Sequence, residues 1–269
     1  MLDLAAERLR RAGLPAPRRE AERLWRAVAD RLAPAPRRED RDVLHRAFEE
    51  ATLRRASGEP WQYAAGYAGF RQLDLLCDAR ALIPRPETEG LIDLALSLAP
   101  RGSALDLGTG SGCIALALAY EGRYDRVAAV DRCARALSLA RENGTRLGLS
   151  VDWRLGDWTA PVRGELFDLI VSNPPYIAQA ELPALERGVR DWEPLGALDG
   201  GRDGLRALRR VLRLAPAVLG PGGLLLLEID SRRAAASQGL AESLGWVDVR
   251  VFQDLYGRDR YVAARRGAA

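Results

Sequence analysis

Residues 173–176 read Asn-Pro-Pro-Tyr and follow an apolar run, FDLIV, with the look of a buried strand. One proline would stop a strand, so the tetrad asks for a chemical reason. The side-chain oxygen of Asn173 and the main-chain carbonyl of Pro174 can together accept both hydrogens of a planar NH₂ group, while the Tyr176 ring stacks on its π system. Proline fixes φ at about −65°, so Pro174 and Pro175 hold that carbonyl in place before a substrate arrives. Such a clamp suits methylation of an amide or exocyclic amine, whose delocalised lone pair is a weak nucleophile. Orienting the nitrogen in line with a methyl sulfonium supplies positioning and electrostatic help without a strong base.

Three further segments end apolar runs in a similar way. Residues 106–112 read DLGTGSG, and glycines at 108, 110 and 112, separated by Thr109 and Ser111, let a backbone turn sharply and approach a ligand before the next helix begins. A nicotinamide-dinucleotide loop would want glycine at position 113, where the chain has Cys113, so a dinucleotide is disfavoured. The run RVAAVD ends in Asp131, about twenty residues beyond the loop, where a carboxylate can accept hydrogen bonds from both hydroxyls of a ribose. Alone, Asp131 reads equally well as a helix N-cap. The run VDWRLGD leads into Asp157-Trp158, an acid beside an aromatic, suited to the amino group and flat face of an adenine; core packing of Trp158 is the alternative. Together these segments describe a nucleoside site into which Asn173 and its neighbours are delivered.

The elements that must position these residues can be read from periodicity. From Glu87 onward, strand and helix patterns alternate: ETEGLIDLALSLA helical, SALDLG strand, CIALALAYEG helical, RVAAVD strand, CARALSLARENGTRLG helical, then VDWRLGD and FDLIVSN as strands. After a loop come GLRALRRVLRLAPAVL as a helix, GLLLLEID as a strand, SQGLAESLG as a helix, and VDVRVFQD with RYVAAR as a final strand pair. This alternation predicts an α/β fold with a largely parallel doubly wound sheet, which binds ligands at the carboxyl ends of its strands. Residues 2–57 read as three short amphipathic helices, two ending at glycine caps, and residues 60–84, with Trp61, Tyr63, Tyr67 and Phe70 among glycines, read as a hairpin linker. The expected division is therefore 1–58 helical, 59–84 hairpin linker, and 85–269 α/β.

Composition narrows the function classes. The chain has 269 residues, enough for one large or two smaller domains, and 48% hydrophobic content suits a sizeable core. All 40 basic residues are arginine, and with 37 acidic residues the net charge is only +3. Residues 1–57 hold 14 Arg against 10 Asp or Glu. That excess is either a footprint for a polyanion or, more simply, solvated helix faces laced with ion pairs. The three cysteines, Cys77, Cys113 and Cys133, are isolated, and the single histidine, His45, lies in a helical pattern, so neither a disulfide framework nor a zinc site is expected. With no signal-like start and no apolar run of membrane-spanning length, a cytoplasmic protein without a membrane partner is expected.

The series DLGTGSG, VD, GDW and NPPY resembles the class I S-adenosylmethionine-dependent amino-methyltransferases. The segments LIPRPETE at 82–89, EPLGALDGGRDGL at 193–205 and GRDRYVAAR at 257–265 are similar to the release factor glutamine N5-methyltransferases, the PrmC or HemK family, over roughly residues 59–266. The resemblance implies a Rossmann-like seven-stranded, mostly parallel sheet behind a small helical substrate-recognition domain. It implies S-adenosylmethionine as methyl donor and the glutamine of the Gly-Gly-Gln motif of peptide chain release factors as acceptor. It assigns Gly108, Thr109, Gly110, Ser111, Gly112, Asp131, Asp157, Trp158 and Asn173 to the cofactor, and Asn173, Pro174, Pro175 and Tyr176 to the substrate, with Asn173, Pro174 and Tyr176 carrying the reaction. NPPY is shared with methyltransferases of nucleic-acid bases, so an adenine N6 or guanine N2 acceptor is the alternative. The acidic stretch AQAELPALE beside the tetrad disfavours it, and no stable nucleic-acid partner is expected. A module that only binds the nucleoside would have no need of the tetrad. The chain departs from the family at Asp230, where glycine is usual, and at 63–70, which lacks an acidic-aromatic pair.

Overall fold

The computed structural model describes residues 1–32 and 38–267. Residues 33–37 and 268–269, which the expected helical and α/β regions include, lie outside the described residues. The amino-terminal helices are α1 (Leu2–Arg11), α2 (Pro17–Leu32) and α3 (Arg38–Ala56), followed by a short α4 (Trp61–Ala65). Their apolar faces meet around Leu9, Leu24, Val28 and Phe48, all buried. The basic character of this segment resolves into surface pairs, such as Arg11 with Glu7 and Arg18 with Glu22 at helical spacing.

The segment read as a hairpin linker opens with α4 instead of a strand. Gly66 caps that helix in the left-handed conformation, at φ 79°. Strands β1 (Tyr67–Phe70) and β2 (Leu73–Leu76) then pair antiparallel as expected. Ala64 and Ala65 are buried in the helical core, whereas Phe70, Leu73 and Leu75 are buried in the core under the main sheet. The segment thus has one end anchored in each core.

The main sheet contains β3 (Arg101–Leu107), β4 (Arg123–Asp131), β5 (Asp152–Leu155), β6 (Phe167–Ser172), β7 (Leu219–Glu228), β8 (Val247–Gln253) and β9 (Asp259–Arg265). Their order is β5-β4-β3-β6-β7-β9-β8. All neighbours are parallel except β9, which runs antiparallel to both β7 and β8. The seven-stranded, mostly parallel sheet expected from the sequence is therefore present. Helices α5 (Pro86–Leu98), α6 (Cys113–Glu121), α7 (Ala134–Leu147), α10 (Arg206–Leu214) and α11 (Ala234–Ser243) accompany the strands, and two short helices, α8 (Arg187–Arg190) and α9 (Leu195–Leu198), interrupt the long connection after β6. Among the described residues no helix is long and apolar enough to cross a membrane.

Two features make this arrangement follow from the residues. The central strands are continuous apolar runs because both sheet faces are covered: Leu225 and Leu227 point into one core with Leu105 and Ile170, while Leu224 and Leu226 point into the other with Ala104 and Leu169. Helix α6, CIALALAYE, is apolar all round, and Ile114 to Leu118 are all buried. The chain builds β3, β4 and β5 outward in one direction and then returns to place β6 on the other side of β3. That reversal opens a crevice at the carboxyl ends of β3 and β6.

Candidate active site

The glycine loop leaves β3 at this crevice. Gly108, Gly110 and Gly112 all have positive φ, at 78°, 57° and 85°, which side chains disfavour. A β-carbon at Gly108 would meet nothing within 4 Å and one at Gly110 only Ala81 at 3.9 Å, so the loop borders open space. At Gly112 it would press on Ala140, Trp153 and Leu116 at 3.1–3.2 Å, so this glycine serves packing against the helices. Thr109 and Ser111 are buried and face inward. The loop therefore fits a cofactor that needs a close, bare backbone.

Asp131 ends β4 beside the loop. Its carboxylate accepts the Gly110 N–H at 2.8 Å and the Cys133 N–H at 2.7 Å, one on each oxygen. A carboxylate oxygen has two acceptor positions, so each can still accept a hydroxyl. The N-cap reading of Asp131 does not hold, since Cys133 is the N-cap of α7 and Asp131 accepts its N–H from two positions earlier in the chain, but the carboxylate keeps acceptor positions for the ribose reading. Beyond β5, Asp157 is exposed, and Trp158 holds a left-handed φ of 47° with its ring half-buried against the core. The third segment is joined to Asp131 through the backbone: β5 pairs with β4 in register, Leu155 against Asp131, and the Gly156 N–H is given to the Asp131 carbonyl at 3.0 Å.

The tetrad leaves β6 next to the loop. The Ser172 hydroxyl donates to the Leu107 carbonyl at 2.6 Å and fixes the two strand ends together. Asn173 is half-buried and its Nδ2 donates to the Thr88 hydroxyl at 3.0 Å. Thr88 in turn donates to Glu228 Oε2 at 2.7 Å, and the Tyr176 hydroxyl donates to Glu228 Oε1 at 3.3 Å. Pro174 is buried and Pro175 half-buried. The loop at 198–204 clasps the tetrad from outside: Ile177 donates to the Leu198 carbonyl at 3.1 Å and accepts from Gly200 at 2.8 Å. A β-carbon at Gly200 would lie 2.7 Å from the Tyr176 carbonyl carbon, so glycine is required for this approach.

Several residues of the site carried no assigned role in the sequence reading. Asp106 is fully buried under the loop, and burial pushes its carboxyl up to about 7 despite the Thr109 hydroxyl bond at 2.6 Å, which works the other way. Glu228, also buried, is pushed up to about 7 by desolvation, with the Thr88 bond, Arg260 and the Tyr176 bond opposing. Each is a lone carboxylate in the buried carboxyl-terminal half of its strand, among leucines, which was the available signal. Asn143, buried on α7, accepts the Leu76 N–H at 2.6 Å and donates to the Ser111 carbonyl at 3.0 Å, tying the hairpin to the glycine loop.

The segments that carried the resemblance are tied to one another and to the end of β7. Arg85 of LIPRPETE pairs with buried Glu193 of EPLGALDGG at 2.5 Å, joining the two segments. Tyr261 of GRDRYVAAR lies opposite Glu228 in the sheet and donates its hydroxyl to the Glu87 carbonyl. The departure at Asp230 is answered locally: its carboxylate bonds Arg232 at 2.6 Å and Arg233, and both arginines reach Glu181 just beyond the tetrad. In the other departure, Tyr63 is buried and donates to the Ala81 carbonyl at 2.6 Å.

Comparison with known proteins agrees with this geometry. Residues 89–187 match the family model described as methyltransferase small domain. Over 280 residues the chain is 44% identical to the release factor glutamine methyltransferase of Cereibacter sphaeroides, covering 100% of this chain and 98% of that one. It is 41% identical over 274 residues to the protein of the same name from Deinococcus radiodurans, covering 99% and 97%. Among solved structures, a methyltransferase from Pyrococcus furiosus shares the fold with a TM-score of 0.56 and 22% identity, covering 74% of this chain and 92% of that one. From the sheet order, the paired loops at its switch point and the extent of these relatives, the chain belongs to the release factor glutamine methyltransferase family.

Proposed function

We propose that this protein transfers a methyl group from S-adenosylmethionine to the side-chain amide nitrogen of the glutamine in the Gly-Gly-Gln motif of peptide chain release factors. The observation that carries the reading is the junction of β3 and β6, where the Ser172–Leu107 bond sets the glycine loop beside the Asn-Pro-Pro-Tyr tetrad. When bound, S-adenosylmethionine supplies a methyl group on a positively charged sulfur, open to in-line displacement. Gly108 to Gly112 would hold its polar chain, Asp131 its ribose hydroxyls, and Asp157 with Trp158 its adenine.

The protein's own contribution is positional. Asn173 Oδ1 and the Pro174 carbonyl accept the two N–H groups of the glutamine amide, which fixes the plane of the nitrogen and aims its lone pair. As the nitrogen gains positive charge, the same two acceptors stabilise it, and its protons become acidic enough to leave without a strong base. Pro175 stiffens the turn, and the Tyr176 ring covers the amide face and excludes water. The two long segments joined by Arg85 and Glu193 would flank an extended side chain offered by a protruding loop with small neighbours. Activity on a translation factor would suit a cytoplasmic protein.

The test is incubation with labelled S-adenosylmethionine and either intact release factor or ribosomal RNA, followed by mapping of the label. Label on the Gly-Gly-Gln glutamine is expected. Label on RNA alone would transfer the proposal to the nucleic-acid acceptor.

A further inference from the structure

Thr88 and Glu228 lie 140 positions apart in the chain, on the first turn of α5 and the last position of β7, and both are almost wholly buried. The Thr88 hydroxyl has one proton. An ionised carboxylate can only accept, so that proton goes to Glu228, and the hydroxyl oxygen is left to accept from Asn173. A side-chain amide presents NH₂ on one side and oxygen on the other, and giving the NH₂ to Thr88 turns Oδ1 away from it. The other oxygen of Glu228 takes the Tyr176 hydroxyl proton. One buried carboxylate therefore orients both ends of the tetrad.

We propose that Thr88 and Glu228 are positioning residues that hold the Asn173 amide with its oxygen toward the substrate, and so make the site specific for a primary amide that donates two N–H groups. The inference rests on the methyltransferase reading for its consequence but not for its geometry. A flipped Asn173 would oppose NH₂ to NH₂, and the glutamine amide would lose one of its two acceptors. By the same polarity the site disfavours the carboxylate of glutamate, which has no proton to give. The relay also has a direction in pH. Glu228 is faced by Arg260 and Tyr261 of β9, by Thr88 and Glu87 of α5, by Tyr176, and at longer range by Cys113 of α6. With its carboxyl pushed up to about 7, Glu228 gains a proton as the pH falls through neutrality, and the proton can then run toward Thr88 and release the amide.

The experiment compares Thr88→Val, Thr88→Ser and Glu228→Gln with the parent protein. Thr88→Val keeps the shape and removes the hydroxyl; Glu228→Gln keeps the size but leaves one acceptor oxygen for the two hydroxyls, of Thr88 and Tyr176, that donate to Glu228. Both are expected to lower kcat on release factor roughly 10- to 100-fold, the scale of a misplaced positioning group, with S-adenosylmethionine affinity by calorimetry unchanged. Thr88→Ser recovers most of the lost rate. A loss of kcat toward acid is expected in the parent and should be absent from Glu228→Gln. Independently of activity, the Asn173 side-chain NH₂ resonances should exchange slowly with solvent in the parent and in Thr88→Ser, and fast in Thr88→Val. If Thr88→Val keeps the parent's kcat, or Thr88→Ser is as impaired as Thr88→Val, Thr88 serves packing alone and the proposal is overturned. If the parent methylates no release factor, the functional reading fails, and the NMR comparison alone decides the relay.

Discussion

The Asp131 carboxylate accepts the Gly110 N–H at 2.8 Å, so the acid at the end of β4 and the glycine loop at the end of β3 form one unit. Removing the side chain takes away both the loop bond and the two free acceptor positions. Asp131→Ala should weaken S-adenosylmethionine binding by about 1.5 to 3 kcal/mol, the range for hydrogen bonds to a charged group. Calorimetry on the folded variant checks this, and unchanged affinity would refute the ribose assignment.

Asn173→Ala removes one of the two acceptors of the amide clamp and should lower kcat by roughly two orders of magnitude. Tyr176→Ala should raise KM for release factor as well, since the ring contributes contact area in addition to orientation. Steady-state kinetics with whole release factor separate the two effects. Near-normal turnover in either variant means the clamp is elsewhere.

Gly200→Ala puts a β-carbon 2.7 Å from the Tyr176 carbonyl carbon, against backbone that cannot swing aside. The tetrad must shift, and kcat should fall roughly tenfold or more, while cofactor binding through β3 and β4 persists. A variant with unaltered kinetics would show that the loop at 198–204 does not fix the tetrad.

Asp106 gives a stability prediction with a definite sign. Its carboxyl rises from 3.8 to about 7 on folding because burial disfavours the charge. Between those values the folded state holds a proton that the unfolded state has lost, so this group's contribution to stability decreases as the pH rises toward 7. Asp106→Asn, neutral throughout, should therefore be most stabilised relative to the parent at pH 7 and above. The gap should shrink as the pH falls toward 4. Thermal melts across that range check it, and a gap that is independent of pH would mean that Asp106 is not the titrating group.

Deleting residues 1–57 should leave cofactor affinity nearly intact and sharply reduce methylation of whole release factor, because none of the loop, Asp131 or tetrad bonds involves the helical segment. The deletion also uncovers Ala64 and Ala65, which are buried in the helical core, so lower solubility is expected. Calorimetry and methylation assays on the same preparation distinguish the outcomes. Equal loss of both functions would mean that the helices and the sheet form one cooperative unit.

The amino-acid sequence by itself determined the elements and the residues at their ends. Periodicities of two and 3.6 separate strand from helix locally, and the glycine loop, Asp131 and the Asn-Pro-Pro-Tyr tetrad each follow directly on an apolar run, so their positions at strand ends needed only local information. The same locality explains what was not legible. Helix α4 was read as part of a hairpin because its five residues are too few to display a helical period. Thr88 looked like one residue of a motif, Glu228 like the end of a strand and Gly200 like a loop residue, because the partner of each lies far along the chain. Only the sheet order, which brings β6 back beside β3 and β7 beside β6, together with the packing of α5 on β7, sets Thr88, Asn173 and Tyr176 around the buried Glu228 carboxylate. Burial is likewise a property of the assembled fold: desolvation by the packed sheet and helices, rather than any neighbour in sequence, raises Asp106 and Glu228 to near neutrality.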